Sequence, residues 1–215
     1  MKRFMLPFAA VACATLLSAG PAAGAVIISE YVEGSSSNKA IELFNTGSAP
    51  VDLSSFVVRI YFNGNTTAGS AITLDGSLAA GEAWVLAHVS AAFASAADKV
   101  SNAVTFNGND AIVLEANGTV VDSIGQVGVD PSPEWGTGLT STQDNTLRRM
   151  PQVLAGDVDP SNAFDPATQW LGFPTNTFGG LGTHVVVVPE PESWLVLFAG
   201  LALLGVACRR RTARW

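Results

Sequence analysis

Between Val26 and Val188 the apolar residues of this 215-residue chain come in segments of strand length, interrupted every few residues by Gly, Asn, Asp or Pro. Such punctuation leaves little room for long helices and favours antiparallel β structure. In Phe56 to Phe62, Phe56, Val58, Ile60 and Phe62 alternate with Val57, Arg59 and Tyr61, the period of two of a strand. Ala83 to Val89 repeats it, with Trp84, Leu86 and His88 on one side. Ala111 to Ala116 and Thr119 to Ile124 flank Asn117-Gly118, a pair that tolerates positive φ and so closes a tight hairpin. Val26 to Ile28 opens the series, and Ile41 and Leu43 share one face of a second segment. Ser90 to Asp98, rich in Ala, is expected to be a short crossover helix capped by Ser90. From Pro131 to Gly182 the chain is weakly periodic, with one strand candidate at Thr146 to Met150. Its aromatic residues are expected to plug one edge of a sandwich.

The two ends follow a different rule. Met1-Lys2-Arg3 precedes an apolar run to Leu17, and Ala23-Gly24-Ala25 offers the small residues that signal peptidase needs. Residues 1–25 therefore read as a secretory signal. At the other end, Trp194 to Cys208 would span about 22 Å at ~1.5 Å per helical residue, less than the ~30 Å of a hydrocarbon core. Trp194 suits one interface and Arg209, Arg210 and Arg211 the other, with the arginines on the cytoplasmic side. The expected order is the sandwich over 26–184, a linker over 185–192, a short transmembrane helix over 193–208 and a basic tail over 209–215.

Setting the ends aside changes the charge. The whole chain has 11 Lys and Arg against 18 Asp and Glu, but only five basic and sixteen acidic residues lie between Val26 and Val188, a formal −11. A surface of that sign repels phosphate backbones, which disfavours broad nucleic-acid binding. Both cysteines, Cys13 and Cys208, fall in the end segments, so the middle holds no disulfide and no cysteine-ligated zinc.

Pro189-Glu190-Pro191, followed by an apolar helix and the Arg209 to Arg211 cluster, resembles the PEP-CTERM sorting signal of Gram-negative bacteria. The resemblance implies export across the inner membrane, transient anchoring there, and recognition by an exosortase, an integral membrane protease. It also implies delivery to the cell surface or an extracellular matrix associated with exopolysaccharide.

The middle has its own likeness. Ile27-Ile28-Ser29-Glu30-Tyr31 leads to Asn38-Lys39-Ala40-Ile41-Glu42-Leu43, and later come Gly81-Glu82-Ala83-Trp84 and Phe106-Asn107-Gly108-Asn109-Asp110. Together with Thr146-Leu147-Arg148-Arg149 and Gly179-Gly180-Leu181-Gly182-Thr183-His184, these resemble the secreted bacterial form of the lamin-tail domain. The resemblance implies an all-β, immunoglobulin-like antiparallel sandwich and supplies no activity.

Catalytic patterns are missing from the sequence. His88 and His184 are the only histidines, and no Gly-x-Ser-x-Gly elbow, His-Glu-x-x-His helix or phosphate-cradling glycine loop occurs. The expectation is a non-enzyme: a surface or matrix module whose partner is an exopolysaccharide or another surface protein. The alternative is an accessory module for nucleic-acid or phosphoester handling, as found beside secreted nucleases. Asp157, Asp159 and Asp165 offer hard oxygens for calcium, though their spacing fails the EF-hand pattern and turn formation accounts for them as well. Glu30, Glu33, Lys39 and Glu42 surround a loop at Gly34 to Asn38 and read as an internal salt bridge with Asn38 fastening the turn. Arg148-Arg149, the one basic pair of the middle, could meet an acidic polymer on an exposed strand, and surface solubility explains it equally well.

Overall fold

The computed structural model describes residues 26–187, which contain fourteen strands and no α-helix. In chain order these are β1 (Val26–Glu33), β2 (Lys39–Asn45), β3 (Val51–Asp52), β4 (Phe56–Tyr61), β5 (Ser70–Thr73), β6 (Ser77–Leu78) and β7 (Ala83–Ala87). There follow β8 (Lys99–Val100), β9 (Ala111–Ala116), β10 (Thr119–Ile124), β11 (Gly136–Thr137), β12 (Thr140–Ser141), β13 (Asn145–Arg149) and β14 (Trp170–Pro174). The signal segment over 1–25, Pro189-Glu190-Pro191, the expected helix over 193–208 and Arg209 to Arg211 lie outside the described residues.

Two main sheets carry the domain. One has the order β14-β13-β1-β2-β7-β8, the other β10-β9-β4-β5. The alternation seen in the sequence fills the space between them. Ile41 and Leu43 of β2 and Trp84 and Leu86 of β7 meet Phe56, Val58 and Ile60 of β4 and Ile112 and Leu114 of β9 in one buried cluster. Thr119 to Ile124 folds back on Ala111 to Ala116 through Asn117 and Gly118, both at positive φ. The result is an all-β sandwich, consistent with the immunoglobulin-like arrangement.

β1 lies between β2 and β13 and is buried along its whole length. A register shift falls between Ile28 and Glu30. Because a bulge adds one residue, Ile28 and Tyr31 both reach the core although three positions apart, and Glu30 turns to the outer face. The same face carries Glu42 from β2 and Thr146 and Arg148 from β13, as the pairings Glu30↔Glu42, Glu30↔Arg148 and Val32↔Thr146 require.

Two expectations are corrected. Ser90 to Asp98 forms only a 3-10 turn at Ala94–Ala96. Helix propensity there amounts to tenths of a kcal/mol per residue, and tertiary contacts override it. Asp98 accepts the Val85 N–H at 2.7 Å, Asn38 accepts the Ala92 N–H at 2.9 Å, and Phe93 packs on Phe178 with ring centroids 4.6 Å apart. Second, the region from Pro131 to Gly182 is more than a plug at one edge. It supplies β13 and β14, so β13 completes the inside of the six-stranded sheet, and Trp170 is 1% exposed in the main core.

Candidate functional site

Two buried polar networks draw on β13 of the six-stranded sheet. The first joins Asp122 of β10 to Arg149 of β13. Arg149 is 2% exposed and Asp122 fully buried. The Asp122 carboxylate accepts the N–H groups of Ile28 at 2.7 Å, Ser123 at 2.8 Å and Asp157 at 2.8 Å, together with Arg149 Nη2. Arg149 also donates Nε to Ile28 O at 3.0 Å and Nη1 to Gln169, while its guanidinium lies 4.0 Å from the Trp170 ring centroid. This arrangement stitches the two sheets and the loop at Asp157 together. Each charge has its partners.

The second network lies on the outer face of the same sheet. Glu30 and Glu42 sit opposite each other on β1 and β2, each 1% exposed. Arg148 Nε donates to Glu30 Oε2 at 3.0 Å, and the guanidinium lies 4.3 Å from the Phe173 ring centroid. Ser29 Oγ donates to Glu42 Oε1 at 2.6 Å. Burial pushes the Glu30 carboxyl up to about 7, against the pull of Arg148, and burial likewise takes Glu42 to about 7. Glu30 Oε1, Thr146 Oγ1 and Arg148 Nη2 are buried without a hydrogen-bond partner. One arginine faces two carboxylates. This network is underpaired.

What covers it is the segment after β14. Phe178 and Leu181 pack against Val32, Ala40, Val85 and Ala87, the small apolar part of the outer face. The Gly182 N–H donates to Glu42 Oε2 at 2.6 Å, and the His184 ring meets Phe44 at 5.0 Å. At Gly180 a Cβ would crowd Arg148 Nε and Glu30 Oε2, so a side chain there would force the ion pair to shift. Asn176 fastens the start of this strap: its Oδ1 accepts from Ser35 N at 3.0 Å and Asn38 Nδ2 at 3.1 Å.

The remaining expected site residues have structural partners. Lys39 pairs with Glu33 and donates to Gly34 O at 2.8 Å, so this loop is braced internally. Arg149 is buried between the sheets, and Arg148, its side chain 25% exposed on the outer face, is held by Glu30, so the pair presents no free basic patch, which corrects the exposed-strand expectation; their strand reads as polar because each arginine is ion-paired on its own face. Asp157 accepts from Asp159 N at 3.1 Å, Asp159 from Ser161 N at 3.1 Å, and Asp165 from Ala167 N at 3.0 Å. Among the described residues no three His, Cys, Asp or Glu side chains converge in a way that could hold a metal ion. His88 Nδ1 accepts from Ser90 N at 3.0 Å. A polar cleft of about 400 Å³, lined by residues including Glu33, Asn107, Asn109, Gln143 and Asp144, opens at one end of the sandwich. None of the described helical turns is long and apolar enough to cross a membrane.

Sequence reasoning identified Glu30 and Glu42 but placed them beside a loop. Their burial depends on the bulge at Ser29 and on β13, which local periodicity does not reveal.

Fold and site together define an all-β sandwich module, its buried charges held by neighbouring strands and its last described residues leading into a hydrophobic tail. Residues 19–128, just over half of the chain, match the Lamin Tail Domain, and residues 187–211 match the PEP-CTERM protein-sorting motif. The chain belongs to the lamin tail domain family. Both matched types are non-catalytic, and the sorting motif implies export and processing by an exosortase in a Gram-negative bacterium. Among curated proteins and solved structures nothing matches.

Proposed function

We propose that this chain is a non-catalytic display module. Signal peptidase removes residues 1–25, the tail holds the protein briefly in the inner membrane, and an exosortase reads Pro189, Glu190 and Pro191 above the Arg209 to Arg211 cluster. The sandwich is then delivered to the cell surface or extracellular matrix, where it meets an exopolysaccharide or another surface protein. The observation that carries this reading is the sorting motif beginning at residue 187, directly after a closed sandwich. The rival role in nucleic-acid handling loses its best contact surface, since Arg148 and Arg149 are committed to Glu30 and Asp122.

Fractionation of the producing cells tests the proposal. The native protein is expected in the surface or matrix fraction and open to added protease on intact cells. A Pro189→Ala, Glu190→Gln, Pro191→Ala variant is expected to stay with the inner membrane. An unchanged distribution of that variant would overturn the sorting role.

A further inference from the structure

The sandwich and the sorting motif have no free chain between them. The motif match begins at residue 187, and the Val187 N–H is still bound to the domain, donating to Pro151 O at 2.8 Å. From Val187 to Glu190 is three residues, roughly 10 Å even when fully extended. A folded body of this size has a radius of gyration of about 15 Å. A protease embedded in the membrane must take an extended stretch of chain around Pro-Glu-Pro, and the docked sandwich would stand in its way.

The strap contains the missing length. Beyond the Asn176 knot, residues 178–187 lie over the outer face of the sheet, held by Phe178 on Phe93, Gly182 on Glu42, His184 against Phe44 and Val187 on Pro151. Released, ten residues reach about 33 Å. The surface they leave holds Glu30, Glu42 and Arg148 beside an apolar patch of Val32, Ala40, Phe44, Val85 and Ala87, whereas the main core lies on the other side of the sheet. Lifting the strap hydrates charges that burial had left underpaired, so its departure costs far less than opening the sandwich would.

We propose that residues 178–187 are a detachable strap, which peels from the six-stranded sheet during processing and gives the sorting motif the reach to enter its protease. The inference rests on exosortase processing of the tail.

The test is a lock. In a Cys208→Ser background, Phe44→Cys and His184→Cys would be joined by a short reducible bis-maleimide, which spans the gap the two rings fill and pins the strap near its end, with the crosslink verified by mass spectrometry of the joined peptides. In membranes containing the sorting protease, the processed fraction of the locked chain is expected to fall at least tenfold and to recover on reduction. Ten Gly/Ser residues inserted between Val187 and Val188 of the locked chain should restore processing without reduction. A second variant, Gly180→Val, displaces the Arg148–Glu30 pair under the strap and weakens its seat, and should be processed at least as fast as the reference. Normal processing of the locked chain, failure of the insertion to restore it, or slower processing of Gly180→Val would each overturn the strap. If the reference chain itself is never processed, exosortase sorting fails instead.

Discussion

The Asp122–Arg149 and Glu30–Glu42–Arg148 networks meet on opposite faces of β13, one strand position apart, yet they are built to opposite ends. At Asp122 each charge is matched, with three backbone amides and a guanidinium around one carboxylate. Under the strap, two carboxylates share one arginine, and three buried polar atoms have no partner. The first belongs to the interior, between sheets. The second sits beneath a single layer of chain. Trp170 Nε1 beside Arg149 is also buried without a partner, but the charged groups of the first network are all matched, and those of the second are not.

The contrast breaks most forcefully at Arg149. Arg149→Met strands the Asp122 charge in the interior, and should lower unfolding free energy by about 3–5 kcal/mol, read from a denaturant midpoint. Arg148→Met removes the only cation of the outer network, but Glu30 can take a proton there, whereas three amide N–H groups favour the charged form of Asp122 even though burial raises its pKa too. The Arg148→Met loss should be smaller, about 1–2 kcal/mol at pH 6. Near-equal losses would erase the distinction between the two networks.

Dependence on pH separates them further. Glu30 and Glu42 are raised from 4.5 to about 7, so between those values the folded protein binds more protons than the unfolded chain. Stability should therefore be full below about pH 4.5 as far as these two groups are concerned, fall as pH rises towards 7, and level off above. At ~1.4 kcal/mol per unit of pKa the loss is at most about 3–4 kcal/mol for each group. The Glu30→Gln, Glu42→Gln double variant should flatten that slope in thermal melts from pH 5 to pH 8. A slope left intact would place the titration elsewhere.

The smallest effect belongs to the turn carboxylates. Asp165→Ala removes the acceptor for the Ala167 N–H and should cost about 1 kcal/mol or less. Millimolar calcium should move the melting temperature of the native protein by no more than it moves that of Asp157→Asn, since these oxygens are occupied by turn amides. A calcium-dependent rise lost in Asp157→Asn would make the loop a cation site after all.

Legibility followed the physics of each segment. β4, β7 and the hairpin β9–β10 were readable because one face of each is apolar and a turn pair pins the hairpin. β13 is half readable: the strand candidate Thr146 to Met150 overlaps Asn145–Arg149, but with Arg148 and Arg149 in it nothing local says that both faces are covered. β14 escaped notice because Trp170–Pro174 carries a glycine and a proline in five residues, and because Leu171 is solvent-facing. The bulge at Ser29 left no mark in composition, yet it decides that Glu30 lies beside Arg148 under the strap. Ser90 to Asp98 read as helix because propensity was the only signal, and contacts with β2, β7 and Phe178 outweighed it. Gly179 to His184 was visible as a family signature, but its role over the two carboxylates required the fold.

Delivery by the tail is the claim on which the rest depends, and the mature C-terminus tests it most directly. Intact-mass and peptide mass spectrometry of the surface form should find a chain ending at or near Pro189 to Pro191 in cells with the sorting protease. Without the protease, the chain should run on to Trp215. The same C-terminus in both cells would contradict sorting and leave the sandwich without its means of export to the surface.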